Sequence, residues 1–194
     1  HWLLDADKVY EVEAAIGART DTGDAEGQSV EFSPVRQISR EMLEAAIAGH
    51  RGPIQQVPPM YSALKRGGVP LYELARRGEE VEREARPVEI YALEIVQFDA
   101  RRPVLRVRCS KGTYVRTLVE TIAAEMGTLA HVSALRRVTL GPFATADMVT
   151  LEHVAELAEE ARARVTVDFE PGPPLLVRGN EIGLARAVSN LMEN

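Results

Sequence analysis

The chain has 194 residues, of which 45% are hydrophobic and 27% charged, and this composition is typical of a globular protein with an apolar core. We expect neither a membrane span nor a secretory leader, because no apolar run is long enough, and the single Cys109 excludes an internal disulfide and favours a cytoplasmic protein. The net charge is −6, but residues 60–137 carry 14 Lys and Arg against 10 Asp and Glu, so this basic region either contacts phosphate groups or merely solvates the surface.

The first part of the chain predicts one strand and one helix. Alternating apolar and polar residues predict a strand at Lys8–Ile16, followed by a loop rich in Gly, Asp and Thr at Gly17–Gln28. Ser39 is placed to cap a helix that runs through Ala48, with an apolar face formed by Met42, Leu43, Ala46 and Ile47. Prolines and glycines predict an irregular segment at Gly49–Pro59.

Between residues 71 and 140 the apolar periodicity alternates between that of a helix and that of a strand. In chain order, the predicted elements are a helix at Leu71–Arg77 ended by Gly78, strands at Val88–Phe98 and Val104–Cys109, a helix at Tyr114–Met126 capped by Thr113, and an extended basic segment at Ala130–Leu140. Beyond these, Thr150 is expected to cap a helix to about Ala163, with a strand at Val165–Phe169 and a helix from about Glu181.

The segment CSKGTYVR (Cys109–Arg116) combines several groups that attract anions. A strand leads into a short polar loop with Lys111 and Gly112, and a helix N-terminus follows. Tyr114 and Arg116 lie in the first turn of that helix, where a guanidinium can bind a carboxylate or a phosphate in fork geometry. An ordinary strand–loop–helix connection with surface Lys and Arg is the alternative.

Two further segments suit RNA, which offers phosphates and unstacked bases. Val57–Val81 interleaves aromatic and basic side chains, among them Tyr61 and Lys65. A small separate core filled by these aromatics is the alternative. In AHVSALRR the adjacent Arg136 and Arg137 must point to opposite faces of an extended segment, so one of them can meet a substrate.

Five motifs together resemble the tRNA pseudouridine synthases of the TruB type. They are LLDADKVYEV, RTDTGDAEGQ, VPPMYSALKRGGVPLYELARRG, CSKGTYVRTL and AHVSALRR, and they follow one another in the family's order over about residues 1–154. The resemblance implies an isomerase that converts uridine-55 of the tRNA T-loop to pseudouridine after flipping the base, without a metal or an organic cofactor.

The resemblance also assigns roles to residues. It implies that Tyr10 stacks on the flipped base and takes part in proton transfer, and that Arg116 pairs with the catalytic aspartate. It implies further substrate contacts at Tyr114, Leu135, Lys111, Tyr61, Lys65 and Arg136. It implies a cytoplasmic protein that binds the tRNA T-arm, acts as a monomer when complete, and has no membrane partner.

One family motif is missing from the 194 residues. The catalytic aspartate of the family lies in GxLDPxAxGxL, and no GxLDP occurs in this sequence. Asp21 and Asp24 belong to a different family segment and are not equivalent to it. We therefore expect both ends of the chain to be cut, Arg116 to lack its carboxylate partner, and the chain alone to be inactive.

The last segment resembles a different family. Residues 165–194 are similar to the start of a histidine-kinase ATP-binding domain, in which Asn194 would help to hold Mg²⁺ and phosphates; the alternative is a plain amphipathic helix. The predicted domains are thus a partial synthase domain (1–154), a linker helix (155–164) and this fragment (165–194). The predicted fold class is α+β, with a largely antiparallel sheet flanked by helices. A noncatalytic T-arm-binding remnant and a kinase-like signalling fragment remain the alternative functions.

Overall fold

The computed structural model describes residues 5–35, 37–144, 148–150, 153 and 176–178. The chain divides into two compact units, His1–Gly141 and Pro142–Asn194. This division comes earlier than the boundary expected at residue 154. The linker helix expected at 155–164 and the helix expected from Glu181 lie outside the described residues, so the three-domain assignment stays a prediction.

The first unit alternates strands and helices. In chain order its elements are β1 (Lys8–Ile16), β2 (Ala18–Thr20), β3 (Ser29–Phe32), α1 (Arg40–Ala48), β4 (Gly52–Gln56), β5 (Lys65–Arg66), β6 (Val69–Pro70), α2 (Leu71–Arg76), β7 (Arg86–Gln97), β8 (Val104–Cys109), α3 (Val115–Glu125) and β9 (Ala130–Leu140). Five strands form an antiparallel sheet in the order β9–β1–β8–β7–β4, while β2–β3 and β5–β6 are separate hairpins. The α+β class with an antiparallel sheet is confirmed.

In the second unit, the described strands are short. They are β10 (Phe143–Ala144), β11 (Met148–Thr150) and β12 (Leu176–Arg178), and the last two pair antiparallel. Thr150, the expected helix cap, lies in β11. Most of the helix expected after it, and the strand expected at Val165–Phe169, lie outside the described residues.

The core of the first unit lies between one face of the sheet and the helices α1 and α3. The sheet contributes Val12, Leu93, Leu105 and Val107, all at most 2% exposed. The helices contribute an apolar stripe at helical spacing, formed by Leu43, Ala46 and Ile47 from α1 and by Leu118, Val119 and Ile122 from α3. Burial of this stripe fixes α3 on the sheet, and thereby fixes the position of the side chains in its first turn.

The opposite face of the sheet carries charged side chains in register. Arg136 of β9, Glu11 of β1, Arg106 of β8 and Glu94 of β7 are paired across four neighbouring strands, so charges alternate along the row. Arg106 Nη2 donates to Glu11 Oε1 at 2.5 Å, and this bond raises the pKa of Arg106 further. Directly opposed unlike charges favour this register, so the row supports strand pairing.

Most of the predicted elements are confirmed within one or two residues. Ser39 caps α1, since its Oγ accepts a hydrogen bond from the Met42 backbone N–H at 3.2 Å. Met42 itself is 41% exposed and does not belong to the buried stripe. The α2 helix, β7, β8 and β9 all form where the periodicity places them.

Three local predictions are wrong. The expected loop at Gly17–Gln28 begins with strand β2, and the expected irregular segment at Gly49–Pro59 contains strand β4, because pairing with β7 overrides its prolines and glycine at the sheet edge. Thr113 does not cap α3. Its hydroxyl donates to the Ser110 carbonyl, and Tyr114 holds the cap position without a side-chain bond.

Candidate functional site

Arg116 lies at the start of α3 and joins two loops that are distant in sequence. Its Nη1 donates to the Thr22 carbonyl at 2.7 Å and to Asp24 Oδ2 at 2.9 Å, while its Nη2 donates to the Tyr61 carbonyl at 2.7 Å. The side chains of Arg116 and Asp24 are 22% and 28% exposed, so water screens this pair only partly. We call Arg116, Asp24, Thr22 and Tyr61 the Arg116 cluster.

Arg116 is nevertheless paired with a carboxylate, although the partner expected to be missing, the family's catalytic aspartate, is a different residue. The carboxylate comes from Asp24, which the sequence analysis left without a role. The reason is the folding of the RTDTGDAEGQ loop, which returns over the first turn of α3. Sequence spacing gives no sign of this return, because Asp24 and Arg116 are far apart in the chain.

The loop holds the Asp24 carboxylate in a fixed orientation. Asp24 Oδ1 accepts from the Thr22 hydroxyl at 2.7 Å and from the Glu26 backbone N–H at 3.1 Å, which leaves Oδ2 for Arg116. The Thr20 hydroxyl donates to the Asp24 carbonyl at 2.7 Å. The loop is also attached to β9, because the Val132 N–H donates to the Gly23 carbonyl at 3.0 Å.

A second carboxylate, Glu120, lies one helical turn beyond Arg116 beneath this loop. Gly23 is buried with φ near +76°, and a Cβ there would lie 3.3 Å from Glu120 Oε1 and 3.4 Å from Arg116 Cβ. Burial raises the pKa of Glu120, and the positive charges of Arg19, Arg116 and His131 oppose the shift. Because Gly23 has no side chain, the loop backbone can lie close to Glu120, whose carboxylate is costly to ionise in this buried place.

Glu120→Gln is expected to raise the thermal unfolding midpoint at pH 7. The folded-state pKa of Glu120 lies above the unfolded-state value, so its contribution to stability is fully present below the unfolded pKa and is lost as the pH rises through the folded pKa. The neutral glutamine avoids that loss, so the gain should vanish at acidic pH. Thermal melts between pH 4 and 8 measure this, with exposed Glu79→Gln as the control. A lower midpoint than the parent at pH 7 would contradict it.

Gln56 fixes the backbone at the start of α3. Its Nε2 donates to the Tyr114 carbonyl at 3.1 Å, and the Tyr114 N–H donates to its Oε1 at 2.7 Å. Gln56 is 5% exposed at the end of β4. The bonds between Gln56 and Tyr114 attach one end of the VPPMY segment to the start of α3. The bond from Arg116 to the Tyr61 carbonyl attaches the other end. Gln56 is not among the predicted site residues, because its role depends on β4, which was not predicted either.

Gln56→Ala is expected to lower the free energy of unfolding by about 2 kcal/mol, because the partly buried Tyr114 N–H loses its partner and the Tyr114 carbonyl keeps only the bond from the Leu118 N–H. Gln55→Ala is the matched control, since Gln55 is exposed on the same strand, and it should change the value by less than about 0.5 kcal/mol. Urea denaturation of both variants gives the comparison. Equal effects at the two positions would show that the paired amide contributes nothing.

Tyr10 continues the core face of β1 beyond the last buried residues. It packs against the core cluster but stays partly exposed. Opposite it on β9, Arg137 donates from Nε to the Tyr10 hydroxyl at 3.2 Å, with its guanidinium carbon 5.3 Å from the ring centroid. Leu135, paired with Val12, is 46% exposed on the same face. We call Tyr10, Leu135 and Arg137 the Tyr10 face.

Arg137, and not the predicted Arg136, is the arginine on this face. Irregularities in the pairing of β1 with β9, between Glu13 and Ala14 and between Val9 and Tyr10, shift the alternation of side chains. The irregularity opposite Glu13 and Ala14 comes first along β9. Beyond it, the odd-numbered residues of β9 lie on the face of the sheet that Ala130 and Val132 occupy ahead of it. Arg136 consequently faces Glu11 on the other side of the sheet. Simple alternation from Val132 would place Arg136 on the Tyr10 face, and nothing in AHVSALRR marks the irregularity. The substrate contact predicted for Arg136 stays a prediction.

The start of β1 lies beside the end of β8, so Lys8 and Cys109 are paired directly where the KGTY loop leaves the sheet. Burial lowers the pKa of Lys8, and the nearby charge of Arg137 lowers it further. Burial also raises the pKa of the Cys109 thiol. A buried neutral thiol is not a nucleophile, so Cys109 acts here as a core residue.

The other predicted substrate contacts have different surroundings. Lys111 is exposed and donates to Asp5 at 2.5 Å. Tyr61 enters the Arg116 cluster through its carbonyl, while Tyr114 is held through its backbone by Gln56. Lys65 lies in the β5–β6 hairpin, on a groove of about 310 Å³ that also has Arg66, Arg83 and Arg86 in its walls. The substrate roles of these residues stay predictions.

Neither a metal site nor a membrane span is found in the described part of the chain. No group of three His, Cys, Asp or Glu side chains among the described residues is arranged to hold a metal ion. None of the described helices is long and apolar enough to cross a membrane.

Comparison with known families covers most of the chain. The family model for the TruB family pseudouridylate synthase N-terminal domain matches residues 1–115, and that for the tRNA pseudouridylate synthase B C-terminal domain matches residues 116–169. The chain belongs to the TruB family. The C-terminal match extends past residue 154 and includes the start of the segment compared with histidine kinases. That second resemblance stays a prediction.

Individual TruB relatives agree with this assignment. A tRNA pseudouridine synthase B from Stutzerimonas stutzeri (strain A1501) is 52% identical over 162 residues, covering 84% of this chain and 53% of the relative. The enzyme of that name from Shigella dysenteriae serotype 1 is 47% identical over 176 residues, covering 91% and 56%. The chain thus spans about half the length of the curated relatives it matches.

Solved structures support the same fold. A chain in the crystal structure of a Cbf5-Nop10-Gar1 complex superposes with a TM-score of 0.57 at 24% identity, covering 83% of this chain and 40% of that chain. A chain in an H/ACA RNP bound to a substrate RNA containing 2'-deoxyuridine gives 0.55 at 20% identity, covering 84% and 38%. The predicted pseudouridine-synthase-like fold is confirmed.

Proposed function

We propose that this TruB chain forms the substrate-binding part and the arginine side of a tRNA pseudouridine synthase active site, and that its substrate is uridine-55 in the T-loop. The observation that carries the proposal is the Arg116 cluster, in which one guanidinium is oriented by Asp24 and two backbone carbonyls. The relatives are named tRNA pseudouridine synthase B, which supports a tRNA substrate. The choice of uridine-55 in the T-loop comes from the resemblance of the five motifs to the TruB family.

In this proposal each group has a distinct task. The Tyr10 face receives the flipped base, with the tyrosine ring stacking on it and Leu135 packing against its edge. Arg116 stabilises the carboxylate that attacks the ribosyl or uracil ring, since a guanidinium in a partly desolvated place favours a neighbouring anion. Asp24 and the carbonyls of Thr22 and Tyr61 act through Arg116 by fixing its direction.

The attacking carboxylate itself is the part that the 194 residues do not supply. The GxLDP motif is absent from the sequence, and Asp24 is already engaged by Arg116, Thr22 and Glu26. We therefore propose that the chain alone binds the T-arm without isomerising it. The noncatalytic T-arm-binding remnant differs from this proposal only in whether an added GxLDP segment produces turnover.

Binding of a T-arm stem-loop RNA over a salt series tests the proposal. Each phosphate contact adds about 0.7–0.9 to the negative slope of log affinity against log salt, so a basic surface that binds RNA gives a steep slope. We expect the stem-loop to bind more tightly than a duplex of the same stem without the loop. Equal binding of both RNAs, or no binding at low salt, would contradict the proposal and leave a signalling fragment as the better account.

A further inference from the structure

Arg137 occupies the accessible surface of Tyr10 in the RNA-free chain. Tyr10 packs against the core, so the surface left for a ligand is on the side of β9. There the Arg137 guanidinium lies over the ring, with its carbon 5.3 Å from the centroid and its Nε donating to the hydroxyl at 3.2 Å. A planar cation thus takes the place in which a planar base would stack.

We propose that Arg137 is an exchange residue: its guanidinium covers Tyr10 in the free protein, leaves the ring when a uracil base arrives, and then binds a phosphate of the same RNA. This inference rests on the proposed function. It goes beyond that function by naming a residue that must move and the group to which it moves.

The relative strengths of the contacts favour this exchange. An exposed cation–π contact is weaker than the stacking of a base on an aromatic side chain, so the base can replace the guanidinium. Arg137 is exposed on β9, and neither of its described contacts is an ion pair. Arg108 and Arg106, on the other face, are each held by a carboxylate, Asp7 and Glu11 respectively.

Arg137 also has a reason to prefer a phosphate once RNA is bound. Burial lowers the pKa of Lys8 and the charge of Arg137 lowers it further, while Asp5 and Asp7 act in the opposite direction. Lys8 and Arg137 therefore repel each other at this end of the sheet. A phosphate placed between or beside them relieves that repulsion. The guanidinium can bind it in fork geometry, which a lysine ammonium cannot reproduce.

NMR of the full chain with labelled arginine side chains and tyrosine rings tests the exchange. In the free chain, the Arg137 Nε–H signal is expected to carry a ring-current shift from Tyr10. On addition of the T-arm stem-loop this shift should disappear while the Tyr10 ring signals move. Arg136 is the internal control, since it lies on the other face, and its signal should not show the same change.

Two outcomes are distinguishable from each other. If RNA binding is evident from other residues while the Arg137 signal keeps its ring-current shift, the exchange is wrong and the proposed function stands. If no signal of the chain responds to the RNA, the proposed function fails and the exchange fails with it. A free chain without any ring-current shift at Arg137 would also overturn the exchange.

RNA binding by variants gives a second test, because a purely structural role of Arg137 would not change the salt dependence of binding. Arg137→Ala is expected to weaken stem-loop binding by roughly three- to tenfold and to reduce the salt slope by about one phosphate contact. Arg137→Lys should restore most of the slope but not the free-state ring-current shift. Arg136→Ala removes the same charge and should leave the slope nearly unchanged. An equal loss of slope for Arg136→Ala and Arg137→Ala would overturn the proposal.

Discussion

Arg116→Ala is expected to lower the free energy of unfolding by about 2–3 kcal/mol, because hydrogen bonds to charged groups contribute about 1.5–3 kcal/mol and Asp24 loses its cation. The change also separates the two loops that meet at α3, since Thr22 and Tyr61 both bind the guanidinium through their carbonyls. Urea denaturation of the full chain measures the loss. Arg116→Lys retains the charge but not the two-armed geometry, so it should fall between alanine and the parent.

Arg40→Ala is the matched control for Arg116→Ala. Arg40 also begins a helix and pairs with a carboxylate, Glu44, but the two side chains are 50% and 54% exposed. An exposed pair at this spacing contributes about 0.3–0.5 kcal/mol. The account is contradicted if Arg116→Ala costs no more than Arg40→Ala, since the Arg116 cluster would then be a surface ion pair like any other.

Gly27→Ala is expected to lower the free energy of unfolding by about 2–3 kcal/mol, at the upper part of the usual range for overpacking. A Cβ at position 27 would lie 2.3 Å from Thr22 Oγ1, 2.4 Å from Asp21 Oδ1 and 2.9 Å from the Thr22 backbone nitrogen. Both side chains must therefore move, and Thr22 loses its bond to Asp24. The loop then holds the Asp24 carboxylate less rigidly in its position beside Arg116.

The neighbouring Glu26→Ala serves as the control for Gly27→Ala. Glu26 is exposed, and the Asp24 carboxylate binds its backbone rather than its side chain, so the stability change should stay within about 0.5 kcal/mol. Comparing the urea midpoints of the two variants isolates the effect of the added methyl group. A Gly27→Ala chain as stable as the parent would mean that the loop accommodates a side chain, and that its packing does not orient Asp24.

Periodicity predicts the elements of the first unit well where local pattern and burial agree. The Ser39 cap and the strand Lys8–Ile16 are examples, because each depends on neighbours within one turn or one strand. Periodicity fails at β4, because Gly52 and Pro53 argue against a strand and only the pairing with β7 forms one. Edge strands tolerate proline, so local chemistry alone underestimates them.

The sequence names several residues of the candidate site but not the contacts that join them. The family resemblance names Tyr10 and Arg116, whose roles stay predictions, whereas the bond of Arg116 to Asp24, the amide of Gln56 and the position of Arg137 beside Tyr10 were not predicted. All three depend on contacts between distant segments or on a strand irregularity. Such features are set by tertiary packing, and a single sequence does not display them.

Pseudouridine formation in a T-arm stem-loop, by the chain with and without an added upstream GxLDP segment from a TruB relative, tests the central claim most directly. We expect no turnover by the chain alone, turnover by the extended chain, and loss of turnover when the aspartate of the added motif is changed to asparagine. Arg116→Ala in the extended chain should reduce the rate by at least about 100-fold. Normal turnover by the 194-residue chain alone, or an extended chain that Arg116→Ala leaves unimpaired, would contradict the account.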